Sequence, residues 1–186
     1  DIHGKNHHVS GSFSDHLLSL TLVINDKKIT CTREDKPDLF KATCGGMGLT
    51  GVITEAKFKL QPIKSSYIDQ KVIKAKNLDT VIELFEKHKD ATYSVAWIDC
   101  LAKGKNLGRS LLTLGEHAES KNLLPHTDGL LNMPFNIPSF VLNKFSIQIF
   151  NSIYYNKQIK RTVKNTIHYD PFFYPLDGIK NWNRMY

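Results

Sequence analysis

Gly45-Gly46-Met47-Gly48-Leu49-Thr50-Gly51-Val52-Ile53, read together with Asp1-Ile2-His3-Gly4-Lys5-Asn6-His7-His8, decides how this chain is understood. Glycine lacks a Cβ, so such a run either makes successive turns or lets main chain approach a flat or anionic ligand closely. The spacing departs from Gly-x-Gly-x-x-Gly, so by itself it does not select a nucleotide. In the earlier stretch His3, His7, His8 and, further on, His16 have the chemistry of metal ligands. Gly4 and Gly11 argue against the helix that would place His3 and His7 on one face, and no carboxylate or cysteine completes a ligand set. No metal is therefore expected. Lys5 and the imidazoles read better as donors to phosphate or ring oxygens.

Between these two stretches, residues 17–32 have the pattern of a β-hairpin. Leu18, Leu20, Leu22 and Ile24 alternate with smaller or polar residues, Asn25-Asp26 opens the turn, and Lys28 to Thr32 returns. A short helix is expected over Arg33–Cys44, with Pro37 in its first turn and Leu39, Phe40 and Thr43 facing a core. Gly45-Gly46 stops it. Val52, Ile53, Ala56, Phe58 and Leu60 then suggest a strand that closes at Pro62.

Beyond the polar Lys64-Ser65-Ser66, Tyr67–Ala75 reads as a strand and Leu78–His88 as an amphipathic helix. Leu78, Val81, Ile82 and Phe85 form its expected inner face, and Asn77 its N-cap. Thr92–Asp99 and Arg109–His117 are strand-like. Strand, helix, strand, strand is the order of an α+β domain with an antiparallel sheet. Residues 121–144, with Pro125, Pro134 and Pro138, read as a long loop. The aromatic stretch His168 to Asp177 shows no periodicity. The segment from Phe172-Phe173-Tyr174 to Tyr186 is expected to be poorly ordered and to expose an apolar patch.

A 41% hydrophobic and 23% charged composition is that of a folded domain, not a disordered chain. Leu17–Ile24 and Phe140–Ile153 are apolar but interrupted, short of the ~18 residues that a membrane span needs. The net charge of +7 raises the question of nucleic acid, but the lysines are dispersed. The densest cluster, residues 157–164, reads first as a solvated face. It also suits an anionic partner such as a phosphate-bearing lipid or membrane surface. A basic, aromatic binding module built on Tyr154, Tyr155, Lys157, Lys160 and Arg161 is the non-enzymatic alternative. Cys31, Cys44 and Cys100 are odd in number and far apart, which favours a reducing compartment over a disulfide framework.

The blocks His3-Gly4-Lys5-Asn6-His7-His8, Gly11-Ser12-Phe13 with His16, and the glycine-rich run are followed by three more. These are Tyr93-Ser94-Val95-Ala96-Trp97-Ile98-Asp99, Gly108-Arg109, and Tyr174-Pro175-Leu176-Asp177 with Trp182-Asn183-Arg184. In that order they resemble FAD-linked oxidoreductases of the vanillyl-alcohol oxidase / p-cresol methylhydroxylase superfamily, above all the decaprenylphosphoryl-ribose oxidase group. The resemblance implies an α+β fold: residues 1–64 as the second half of a PCMH-type FAD-binding domain, and 65–186 as part of an antiparallel-sheet substrate (cap) domain. It implies FAD held without a covalent bond, contacted by His3, Gly4, Lys5 and Asn6, with Ile53 against it. Trp97 would stand on the substrate side near the pocket entrance, and Asp177 and Arg184 in a segment covering the active site.

The group's pyrophosphate-binding loop lies upstream of these blocks and its pocket lysine downstream. The chain is therefore expected to be a fragment, inactive by itself, and none of its residues is named as catalytic base. The implied reaction is oxidation of a secondary alcohol on a sugar-like substrate, a small molecule or a polyprenyl-phosphate ribose, with hydride passing to flavin N5. An alditol- or lactone-type oxidase is the rival. The resemblance leaves room for a reductase partner and for peripheral membrane contact. The expected location is cytoplasmic or peripheral to the inner membrane, with no nucleic acid involved.

Overall fold

The computed structural model of the chain describes residues 10–119, 122–126 and 131–185. They divide into two compact units, Asp1–Pro62 and Ile63–Tyr186.

The first unit runs α1 (Phe13–His16), β1 (Leu17–Ile24), β2 (Lys27–Cys31), α2 (Pro37–Thr43) and β3 (Val52–Phe58). The sheet order is β2-β1-β3, antiparallel throughout. Asn25 and Asp26 both have positive φ (48° and 60°), the conformation that a two-residue hairpin needs to match strand twist. Leu17, Leu20, Leu22, Cys31 and Phe40 make a small core, with Leu39 and Cys44 packed against it. The hairpin forms as expected, with one correction. A register shift between Leu17 and Ser19 against β3 turns Leu17 inward and leaves Leu18 exposed. α2 is shorter than expected and starts with Pro37, whose missing N–H costs nothing there. All seven residues of β3 are exposed.

The second unit runs β4 (Tyr67–Ala75), α3 (Leu78–Lys87), β5 (Tyr93–Ile98), β6 (Ser110–His117), β7 (Leu131–Asn132), α4 (Lys144–Asn156), β8 (Thr162–His168), α5 (Tyr169–Phe173) and β9 (Ile179–Lys180). β5-β6-β4-β8 is a four-stranded antiparallel sheet, and β7 pairs with β9 in parallel. Asn77 caps α3 as expected, its side chain accepting the Thr80 N–H at 3.0 Å. The buried face of α3 is Val81, Leu84 and Phe85, which meet Ile73, Ala75, Leu112 and Leu114. Leu78 and Ile82, expected inside, are exposed. A helix over a flat sheet buries a narrow stripe, and the i, i+3, i+4 triplet beginning at Val81 wins it.

Strand alternation puts Trp97, Leu111 and Gly115 on the opposite face from Ala96, Leu112 and Leu114. There α4 and α5 pack. Ser65 and Ser66, polar in sequence, are buried because their hydroxyls have work: Ser65 Oγ accepts the Tyr67 N–H, and Ser66 Oγ bonds the backbone of Leu124.

In the C-terminal stretch one ring departs from expectation. Phe172 is buried and sits edge-on to Tyr93 and Phe173. It reaches the sheet because residue 115 is glycine; a Cβ there would overlap the Phe172 ring. Farther on, Arg184 Nη1 donates to the carbonyls of Met133 and Pro134, and Ile137 N–H donates to the Arg184 carbonyl. The segments around 131–137 and 179–184 thus hold one another by hydrogen bonds, while Tyr174, Leu176, Leu131 and Phe135 stay exposed, as the expected apolar patch requires. Among the described residues, no helix is long and apolar enough to cross a membrane.

Candidate functional site

The glycine-rich loop leaves α2 at its C-terminus and returns the chain into β3. Gly45 and Gly48 have φ of 76° and 80°, and Met47 between them has φ 52°. A Cβ on Gly46 would overlap the Ala42 carbonyl oxygen, so residue 46 must be glycine for the loop to fold back on the helix. Thr43 holds both ends: its Oγ1 donates to the Leu39 carbonyl at 2.7 Å and shares a 3.0 Å hydrogen bond with Thr50 Oγ1.

Between this loop and the sheet lies a cleft of about 380 Å³. Phe13 and Leu17 wall one side, Leu20, Ile53 and Ala56 provide apolar surface from β1 and β3, and Gly45 to Gly48 supply main chain. Such an apolar hollow with a backbone rim suits a flat ring better than a compact ion. Ile53 is thus brought to the same place as the glycines. His3, Gly4, Lys5 and Asn6, and with them His7 and His8, lie outside the described residues.

Cys44 lines the cleft half-buried, Cys31 is fully buried in the core behind it, and Cys100 is exposed in the other unit. Burial pushes both the Cys31 and Cys44 thiols up from their ordinary value. Only thiolate reacts with alkylating agents, so iodoacetamide is expected to modify Cys100 first, Cys44 more slowly and Cys31 only after unfolding. Mass spectrometry of partly labelled protein checks that order.

Trp97 belongs to the second unit. Its ring lies 4.8 Å from that of Tyr154 on α4, and Lys157 Nζ stands 3.7 Å from the centre of the same Tyr154 ring. Nearby, sequence reading missed an ionic anchor. Arg109 Nε donates to Asp99 Oδ2 at 2.8 Å, Asn151 Nδ2 donates to Asp99 Oδ1 at 2.7 Å, and Arg109 Nη2 reaches Ser152 Oγ at 3.0 Å. Asp99 directly follows an apolar strand and Arg109 directly precedes one, which was the available signal. Among the described residues no group of histidine, cysteine and carboxylate side chains is arranged to hold a metal ion.

No protein-family model matches the chain. Aligned over its whole length, it is 33% identical to decaprenylphosphoryl-beta-D-ribose oxidase of Mycolicibacterium smegmatis, of which it spans 43%. The chain is a relative of decaprenylphosphoryl-ribose oxidase, an FAD oxidase of the vanillyl-alcohol oxidase / p-cresol methylhydroxylase type. It is also 38% identical over 124 residues to an uncharacterized protein in the mprA 5′ region of Streptomyces coelicolor, covering 66% of this chain and 34% of that one. Over 79 residues it is 37% identical to a Neurospora crassa protein that carries the name D-arabinono-1,4-lactone oxidase, covering 42% of this chain and 13% of the other. The chain thus spans less than half the length of each of these relatives. Its mixed α/β fold with antiparallel sheets is consistent with part of their architecture.

Proposed function

We propose that this chain contributes part of the FAD-binding domain and part of the substrate domain of an FAD-dependent oxidoreductase that oxidises a secondary alcohol on a sugar-like substrate. In this reading residues 1–64 are part of the FAD-binding domain and 65–186 part of the substrate domain. The observation that carries it is the apolar cleft between Ile53 and the Gly45–Gly48 main chain, in a chain related along its whole length to such an oxidase. Its volume, near the low end of the ~300–1,000 Å³ of small-molecule pockets, fits one ring system of a dinucleotide.

Bound FAD would supply the chemistry by accepting a hydride from the carbon that bears the hydroxyl. The chain's own part is positioning. Leu20, Ile53 and Ala56 would keep water from the ring, while the glycines let backbone come close. His3, Gly4, Lys5 and Asn6 would add polar contacts, and the FAD would be held without a covalent bond. Trp97, paired with Tyr154, would offer aromatic surface on the substrate side, where a polyprenyl-phosphate sugar is the favoured substrate. No residue of this chain is assigned as the base. The similarity to the Neurospora protein favours a second reading, a lactone- or alditol-type oxidase sharing the flavin half.

Purified protein that includes the sequence flanking these residues should be yellow, with a flavin absorbance band that denaturation releases from the polypeptide. Gly46→Ala should lose that flavin while keeping its far-UV circular dichroism. The overlap with the Ala42 carbonyl forces the loop off the helix, an overpacking cost of about 1–3 kcal/mol borne at the cleft. A colourless protein that takes up no added FAD, or a Gly46→Ala variant with unchanged flavin affinity, would count against the assignment.

A further inference from the structure

Helix α4 is built the wrong way round for a helix that only covers a sheet. Its inner side carries Asn151, Ser152 and Tyr155, engaged with Asp99, Arg109 and the Ala75 carbonyl. Its outer side carries Phe145, Ile149, Phe150 and Ile153, all exposed, Phe145 at 71% and Ile153 at 66%. The spacing i, i+4, i+5, i+8 makes these one continuous stripe. Asn143 fixes the start of the helix, its side chain accepting the Phe145 and Ser146 N–H groups. Just beyond the helix, Ile159 is 93% exposed at the rim of a cleft that Lys74, Lys76 and Arg161 line, with Glu83 at its α3 side.

Along the sequence that carries this stripe the charge has one sign. From Leu131 to Tyr169 the sequence holds Lys144, Lys157, Lys160, Arg161 and Lys164 and not one aspartate or glutamate. On α3, Glu83 is the acidic side chain that lines the neighbouring cleft, among Lys74, Lys76 and Arg161. A second copy of this face would set like charges against each other, so self-association does not suit it. An apolar helical stripe flanked by cations is what an interfacial helix presents to a bilayer with anionic headgroups.

We propose that the outer face of α4, with the basic segment 157–164 immediately after it, is a contact surface for an anionic lipid bilayer. Phe145, Phe150 and Ile153 enter the acyl boundary, and Lys157, Lys160 and Arg161 meet the headgroup phosphates. The proposal is independent of the flavin reading.

Co-sedimentation of the 186-residue chain with vesicles tests it. Binding to phosphatidylcholine mixed with phosphatidylglycerol, weakened by salt and absent with phosphatidylcholine alone, is expected. Phe145→Ser/Ile153→Ser should weaken it by about tenfold or more, as should Lys157→Glu/Lys160→Glu. Lys27→Glu/Lys28→Glu, the same charge change on the hairpin of the first unit, should leave it unaltered. All these side chains are exposed, and circular dichroism confirms that the variants fold. Equal binding to neutral vesicles, no binding to either, or indifference to the serine variant would overturn the proposal. So would dimerisation abolished by the serine variant, or loss of vesicle binding when the chain is extended by the sequence flanking it in its gene, since either assigns the face to protein.

Discussion

Asp99→Ala is expected to remove about 3–5 kcal/mol from the stability of the second unit, the usual loss when one partner of a buried ion pair is deleted. Asp99 is 2% exposed, and the Arg109 side chain is 16% exposed. Without the carboxylate, the Arg109 guanidinium keeps Ser152 Oγ and the face of the Tyr155 ring, and Asn151 loses its acceptor. Since a domain's whole stability is about 5–15 kcal/mol, such a loss is close to unfolding it. Both tryptophans, Trp97 and Trp182, lie in this unit, so their fluorescence in a urea titration follows it selectively. Asp99→Ala/Arg109→Met should recover much of the loss, because no charge is then left buried. A double variant as unstable as the sum of the singles would show that the pair acts through packing alone.

The same carboxyl makes a pH prediction. Burial opposes ionisation of Asp99, but hydrogen bonds from Arg109, Asn151 and the Leu101 N–H outweigh it and hold the group below the usual carboxylate range. For a depressed carboxylate the stabilisation is present above the unfolded value, ~3.9, and is lost as pH falls through the lower folded value. The stability gap between the parent protein and Asp99→Ala should therefore stay constant from neutrality down to about pH 4 and shrink below it. Shrinkage already complete at pH 5 would contradict the hydrogen-bonded geometry.

Phe172→Ala carries the other large effect, about 3–5 kcal/mol for emptying a buried aromatic site. Phe172 is 3% exposed, 6.0 Å from the Tyr93 ring and 4.9 Å from that of Phe173, and lies over Gly115. Gly115→Ala should cost about 1–3 kcal/mol through overlap with the ring. The two together should cost less than their sum, since the new methyl enters the space that the ring vacates. Strict additivity in urea titrations would mean that the ring and residue 115 do not share a site. Hydrogen exchange offers a second check: amides of α5 should be protected in the dilute chain and lose that protection in Phe172→Ala.

Local chemistry alone made several elements legible. Asn25-Asp26 could hardly be anything but a hairpin turn between two alternating strands, and Asn77 before an amphipathic run announced α3. The glycine-rich loop was visible as a place of close backbone approach, as was the kinship to FAD oxidases, because both reside in contiguous residues. The features that the sequence did not reveal depend on partners distant along the chain. Helix α4 escaped notice because its apolar residues face outward, while its inner Asn151 and Ser152 are satisfied only by Asp99 and Arg109, some 40–50 residues away. Strand β8 becomes a strand by pairing with β4, almost a hundred residues earlier. The rotation of α3 away from Leu78 and Ile82 was settled by the shape of the sheet beneath it. The aromatic stretch around Phe172 looked unpartnered until Gly115 opened a place for its ring. Periodicity and caps are written into neighbouring residues, whereas the choice of which polar groups to bury and which apolar ones to expose is made only when the sheet brings its strands together.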